Sequence, residues 1–330
     1  MSAFLEIRDL TVRFRVGSAL KARLKGEPPP DLTAVDGFSF AAQRGESIGI
    51  VGESGCGKST LAKAITGLVP AASGSMYLDG RPLTAKRDRA TMRRIQMVFQ
   101  DPSSSLNPSL SVGKTLSELL RVHRIVPANK IDQRCAELMD LVELPHSLLK
   151  ARPGRMSGGQ RQRVGIARAL ALEPEVLIAD ESVAALDVSV QAPILNLLNS
   201  LRDDLGLTLM FISHDLAVVR YVSDRVIVMY LGKAVEDRST RAIFENPRHP
   251  YTKALMAAAP KFGVKKAPGE SALKGEPPSA LDLPSGCRFR PRCPLAAGIC
   301  EQTEPDLDGP ADDERAACHF AWDAASDTTV

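Results

Sequence analysis

The chain has 330 residues, 44% of them apolar and 25% charged, with a formal net charge of +3. That is the make-up of an ordinary globular protein of about two domains, and so balanced a charge gives no reason to expect nucleic acid as a partner. No apolar run approaches the ~20 residues that would cross a bilayer. Met1 to Glu6 carries charge early with no long apolar core after it and does not read as a signal peptide, so we expect a cytosolic chain that meets a membrane only through a partner.

Leu5 to Phe14 is rich in β-forming residues and predicts a strand. On pattern alone, Phe14 is either an adenine-stacking ring or part of the strand's buried face. Residues 17–31 hold Gly26, Pro28, Pro29 and Pro30 and read as a solvated loop. Ala34 to Ala41 predicts a second strand, and Ser47 to Val51 a short buried one. Gly52-Glu53-Ser54-Gly55-Cys56-Gly57-Lys58-Ser59 follows, with Thr60 opening a helix. This is the spacing of a phosphate-binding loop between strand and helix. Glycines allow positive φ and bring N–H groups close to a polyphosphate, and the helix N-terminus adds favourable charge. Lys58 is expected to reach the β- and γ-phosphates and Ser59 to ligate Mg²⁺.

Ser75 to Gly80 and Arg93 to Phe99 predict further strands, the second running into Gln100-Asp101-Pro102. From Leu116 to Leu144 apolar residues recur at helical spacing, which marks a helical insert in an α/β chain. Ser157, Gly158, Gly159 and Gln160 open the next helix, with Ser157 and Gln160 matching a capping box. Val176 to Ala179 is continuously apolar, as a buried parallel strand should be. It ends in Asp180 and Glu181, where α/β sheets bind ligands. Beside a phosphate loop, Asp180 reads as a direct or indirect partner of Mg²⁺, and Glu181 as a candidate base for the attacking water. Val190 to Leu205 predicts a helix with Pro193 in its first turn. Thr208 to Ser213 predicts a buried strand ending at His214, which we expect to contact the γ-phosphate. Val226 to Tyr230 reads as the last clear strand. Beyond about residue 236 the chain reads as irregular, and residues 260–286 as a linker.

These pieces together resemble the ATP-binding subunit of ABC transporters. Gly52 to Ser59 resembles the Walker A motif, and Val176 to Glu181 resembles Walker B with the catalytic glutamate. Gln100 resembles the Q-loop glutamine, Ser157 to Gln160 the signature motif, Ala184 to Asp187 the D-loop, and His214 the switch histidine. Asn246 to Leu255, Gln100 to Pro108 and the Cys-rich end resemble the oligopeptide/dipeptide importer branch. The resemblance implies an α/β P-loop ATPase core over residues 1–235, with a helical subdomain inserted at about 101–172, and a small C-terminal extension over 236–330. It implies ATP and Mg²⁺ held by Gly52, Ser54, Gly55, Cys56, Gly57, Lys58, Ser59 and Thr60, with Phe14, Gln100 and Asp180 beside them. Catalysis would fall to Glu181, Gln100 and His214.

In that family two cassettes meet head to tail, so Ser157, Gly158, Gly159 and Gln160 would serve the partner's nucleotide. The implied partners are two integral-membrane permease subunits, a second, non-identical ATPase subunit and, indirectly, a solute-binding protein. The implied place is the cytoplasmic face of the cell membrane. Ser182 departs from the usual proline and Ala184 from the usual D-loop serine. Met156 replaces a leucine at nearly constant volume. Two rival readings are a soluble ABC ATPase acting on nucleic acid or ribosomes, and a nucleotide-binding regulator that does not hydrolyse. The near-neutral charge and the tail argue against the first, and Glu181 against the second.

Six cysteines are present, and Cys287, Cys293, Cys300 and Cys318 cluster near the end. Four thiolates suit an iron–sulfur cluster or a structural Zn²⁺. Their spacing matches neither usual pattern, and four unliganded thiols also fit. The resemblance tips the expectation to a [4Fe–4S] cluster, with zinc as the alternative and His319 as a substitute ligand.

Overall fold

The computed structural model describes residues 3–16, 31–101, 106–184, 187–258 and 275–322. The loop expected at 17–31 falls almost wholly outside them. So do Pro102 to Ser105 of the Gln100 segment, Ala185 and Leu186 of the D-loop, and most of the expected linker.

β1 (Leu5–Arg15) pairs antiparallel with β2 (Asp31–Ala42) on one side and β4 (Ser73–Leu78) on the other, with β5 (Arg81–Pro82) at the edge. The second sheet is the larger. Its parallel centre is β3 (Ser47–Val51), β6 (Ile95–Val98), β7 (Val176–Asp180), β8 (Thr208–Ser213) and β9 (Arg225–Tyr230), in the spatial order β9-β3-β8-β7-β6. Every residue of β3, β7 and β8 is buried. Both faces are covered, which is why these strands read as unbroken apolar runs rather than alternating ones.

The period-two alternation still decides which side each residue faces. Ile48, Ile50, Ile178, Met210, Ile212, Ile227 and Met229 share a core with the first sheet and with Leu61, Ala62, Ala64 and Ile65 of α1 (Lys58–Thr66). Leu177, Ala179, Leu209, Phe211, Val226 and Val228 form the opposite core, with α6 (Val188–Leu205) and α7 (Leu216–Val222). Burying each large aliphatic side chain here is worth about 1.5–3 kcal/mol. The helix carrying the expected phosphate loop is thus clamped between two sheets. Pro193 lies inside α6 and past its first turn, because the helix starts at Val188.

The helical stretch holds α3 (Val112–Val122) and α4 (Ile131–Leu141), packed on α5 (Gly158–Leu170). Leu116, Leu120, Cys135, Leu138, Met139 and Val142 are all buried, as their spacing predicts. One further local reading needs correction. Arg93 and Arg94 end a helix, α2 (Arg89–Arg94), instead of starting a strand. Asp88 caps it by accepting from the Thr91 N–H at 2.7 Å, so the strand starts only at Ile95.

The region after Tyr230 is more ordered than its composition suggests. β10 (Lys233–Ser239) folds back antiparallel on β9 through Leu231 and Gly232, both at positive φ. α8 (Thr240–Glu245), α9 (Pro250–Ala258) and α10 (Ile299–Gln302) follow, then β11 (Asp308–Ala311) and β12 (Glu314–Ala316), which extend the large sheet beyond β10. The strand is hidden in sequence by Glu236, Asp237 and Arg238, which look like surface residues. All three are buried. Asp237 is held by Arg225 at 2.6 Å and by Arg315, while Glu236 accepts the Arg248 and His249 N–H groups at 2.8 and 2.9 Å. Buried charge is tolerated when it is paired in this way.

Candidate nucleotide site

The site lies at the C-terminal edge of the parallel strands. After β3 the chain turns through Gly52, Glu53, Ser54, Gly55, Cys56 and Gly57 into α1. Gly57 sits at φ 110° as the N-cap of α1, and no side chain caps that end. A Cβ on Gly57 would stand 2.1 Å from the Ala34 carbonyl oxygen, and one on Gly52 would stand 2.2 Å from that of Met229. The loop is therefore wedged between β2 and the end of β9, and only glycine fits those two positions. Ser54 and Gly55 are exposed, and Thr60 is half-buried in the first turn of α1. Cys56 is buried, which pushes its thiol up, and its Sγ is 3.8 Å from Lys58 Nζ.

The Lys58 side chain is only 4% exposed. Its ammonium donates to the Gly52 and Glu53 carbonyls at 2.8 and 2.9 Å. A buried cation over a glycine loop at a helix N-terminus fits the phosphate tail of a nucleotide. Ser59 Oγ, beside it, donates to Asp180 Oδ1 at 2.9 Å. Asp180 ends β7 and is buried, which pushes its carboxyl up, while the Ser59 hydrogen bond pulls it back. Hard oxygens at the foot of a phosphate loop fit Mg²⁺.

Glu181 follows with φ 44°, a left-handed conformation unusual for this residue. Its N–H donates to the Ile212 carbonyl at 2.9 Å, which pins the strained residue to β8. Its carboxylate accepts from Gln100 Nε2 at 2.7 Å and lies 3.5 Å from His214 Nδ1. The three follow β6, β7 and β8, adjacent strands of one sheet, so residues 81 and 33 apart in sequence meet at a single carboxylate. Backbone held in such a conformation is typical of functional positions.

Phe14 pairs with Leu32 across the first sheet and is 38% exposed, so its ring is not part of that sheet's buried face. Ala34, whose carbonyl touches the loop, is two residues further along the same strand. Ser157, Gly158, Gly159 and Gln160 stand apart at the start of α5. The capping box is present: Ser157 Oγ accepts from the Gln160 N–H at 3.2 Å, and Gln160 Oε1 from the Ser157 N–H at 3.0 Å. Ser182 is buried and its hydroxyl has no hydrogen-bond partner, whereas Ala184 is exposed.

Two residues that reach the loop, Tyr251 and Arg292, were not read from sequence as part of the site. The Glu53 N–H donates to the Tyr251 hydroxyl at 2.8 Å, and the Glu53 carboxylate accepts a two-pronged bond from Arg292 at 2.7 and 2.9 Å. Both partners lie some two hundred residues downstream. Only the fold brings them to the loop.

A sheet of this order, with a phosphate loop, paired acids at a strand end and an inserted helical layer, defines an ATP-binding cassette ATPase. The ABC transporter family model matches residues 35–184, and the model for the oligopeptide/dipeptide transporter C-terminal region matches residues 235–300. The chain is 47% identical over 311 residues to the oligopeptide transport ATP-binding protein OppF of Escherichia coli, covering 92% of each chain. It is 44% identical over 324 residues to the oligopeptide transport ATP-binding protein AppF of Bacillus subtilis, covering 96% of this chain and 97% of that one. Among solved structures it resembles a dimeric ATP-binding cassette in a post-hydrolysis state bound to ADP and Pi. The TM-score there is 0.61 at 28% identity, over 72% of this chain and 99% of that chain. The chain belongs to the ATP-binding proteins of ABC transporters, in the oligopeptide/dipeptide branch, and is an ABC-type ATPase.

The metal centre expected in the tail is not supported. Among the described residues no group of three or more His, Cys, Asp or Glu side chains could hold a metal ion, which overturns the [4Fe–4S] cluster and its zinc alternative alike. Cys287, Cys293, Cys300 and Cys318 are free thiols. Burial pushes the thiols of Cys287 and Cys318 up, and that of Cys293 up to about 11. Cys287 and Cys300 are joined through backbone, N–H to carbonyl at 2.8 Å. His319 Nε2 is occupied by the Thr303 carbonyl at 3.0 Å. The apolar contacts of Phe289 with Tyr230, Tyr251 and His249 hold this segment in place.

Proposed function

We propose that this chain binds and hydrolyses ATP to power the import of oligopeptides, dipeptides or related small solutes through an ABC transporter. The observation that carries the reading is the meeting of Gln100, Glu181 and His214 beside the Ser59–Asp180 pair, next to a glycine loop with a buried lysine. Gly52 to Thr60 would hold the phosphates, with Lys58 as their nearest cation, and Phe14 would stack on the base. Ser59 and Asp180, with Gln100 near them, would hold Mg²⁺, which supplies charge neutralisation on the β- and γ-phosphates. Glu181 would orient and deprotonate the attacking water. Gln100 and His214 fix its carboxylate, and His214 would sense the γ-phosphate.

Ser157, Gly158, Gly159 and Gln160 would cover the nucleotide of a second, non-identical cassette. We read residues 1–235 as the motor and 236–330 as an extension of the importer branch. No helix among the described residues is long and apolar enough to cross a membrane. In keeping with its family, the chain would work at the cytoplasmic face, bound to two permease subunits and indirectly served by a solute-binding protein. The test is reconstitution with the permeases and solute-binding protein of its transporter. ATP turnover should rise when that protein carries peptide. Turnover indifferent to every peptide, but stimulated by another solute class, would refute the substrate assignment.

A further inference from the structure

We propose that Arg292 and Tyr251, from the C-terminal extension, are positioning residues for the nucleotide-binding loop and act on it through Glu53. The proposal rests on loop 52–59 being the ATP site. Glu53 sits between the tail and the phosphate-binding Lys58. On one side its carboxylate receives both nitrogens of the Arg292 fork, and its N–H is taken by the Tyr251 hydroxyl. On the other side its own carbonyl accepts from Lys58 Nζ at 2.9 Å. Any shift of Glu53 therefore moves an acceptor of the cation that meets the phosphates.

The clamp is built to be rigid. Tyr251 is fully buried, and its ring lies 4.6 Å from that of Tyr230 and 5.4 Å from that of Phe289. Arg292 is 9% exposed and also reaches the Tyr230 hydroxyl at 3.5 Å. Phe289, three residues before Arg292, is buried in the same cluster. Arg288 extends the contact, donating to the Leu231 carbonyl at 2.6 Å and pairing with Asp36 and Glu304. The electrostatics give the clamp its purpose. A carboxylate one residue into a phosphate loop opposes a polyanion, and a bidentate guanidinium both neutralises it and holds it aside. The tail thus sets the affinity of the loop for nucleotide, at a site it does not itself enter.

The full-length chain is titrated with Mg-ATP by calorimetry, and thermal unfolding is followed in parallel. Arg292→Ala should weaken ATP about tenfold, the scale of one lost charge-assisted hydrogen bond, and Arg292→Lys should recover part of that loss. On a Glu53→Ala background, Arg292→Ala should change affinity less than about twofold, because the group it acts on is gone. Tyr251→Phe keeps the packing, removes only the hydroxyl, and should weaken ATP a few-fold; it carries the test if Arg292→Ala does not fold. In the transporter, Arg292→Lys should raise KM for ATP more than it lowers kcat.

A lowered melting temperature with unchanged ATP affinity in Arg292→Ala would overturn the proposal, as would an equal cost with and without Glu53. Unchanged affinity in Tyr251→Phe would remove that residue from it. Lys58→Ala separates the two readings. If Lys58→Ala weakens ATP and the tail variants do not, only this inference falls; if Lys58→Ala also has no effect, the ATP site itself is misassigned.

Discussion

Glu181 is the residue on which turnover should depend most. It is strained at φ 44° and fixed by Gln100, His214 and the Ile212 carbonyl, so its carboxylate is oriented before any substrate arrives. Glu181→Gln keeps the shape and removes the base. We expect it to bind ATP normally and to lose about 10²–10⁴-fold in steady-state turnover of the assembled transporter. Near-normal ATP hydrolysis in that variant would exclude Glu181 as the base. Lys58→Ala acts earlier, because a triphosphate without its nearest cation binds poorly. Its nucleotide affinity, measured by titration, should fall at least about tenfold. Both residues stand out as candidates in sequence because Glu181 follows a strongly apolar strand and Lys58 a glycine loop. The pairing of Gln100 with Glu181 was not legible, since strand order is a property of the sheet.

At the scale of elements, the start of α9 carries a pH dependence. His249 is fully buried, and its Nδ1 accepts from the Tyr251 N–H at 3.0 Å, so the ring is held neutral. Burial lowers its pKa to about 3. The unfolded chain takes up a proton near pH 6.5 that the folded chain refuses until about pH 3. Stability from this site is therefore complete above about pH 6.5 and is lost as pH falls through that window, at about 1.4 kcal/mol per pH unit. His249→Asn keeps an acceptor for the Tyr251 N–H and cannot titrate. Chemical denaturation at pH 6 and pH 4.5 should show a shallower loss in that variant than in the parent. An identical slope would mean that His249 is already charged in the fold. A His among prolines looks like a surface loop in sequence, and only the packing of Phe289 and Tyr251 around it makes it a buried group.

At the scale of the whole molecule, the proposed site is expected to be completed by a second cassette. The Ser157–Gln160 cap is satisfied within itself and makes no recorded hydrogen bond to the loop of its own chain among the described residues. Ala184 removes a hydroxyl that the family usually offers at the interface between cassettes. We expect the purified chain alone to hydrolyse ATP slowly, and the addition of a different cassette from the same transporter to raise the rate. Full activity in the isolated homogeneous chain would contradict the shared site.

The order of motifs and the buried parallel strands were determined by sequence alone, because local spacing and apolar runs report local structure. The tertiary structure decided the rest. Charges at Glu236, Asp237 and Arg238 hid a strand, since a paired buried charge and a solvated one look the same in a string of letters. The clustering of four cysteines, together with the family resemblance, suggested a metal centre that their placement does not support. The grip of Arg292 and Tyr251 on Glu53 spans the length of the cassette, and contacts at that separation exist only after the chain has closed on itself.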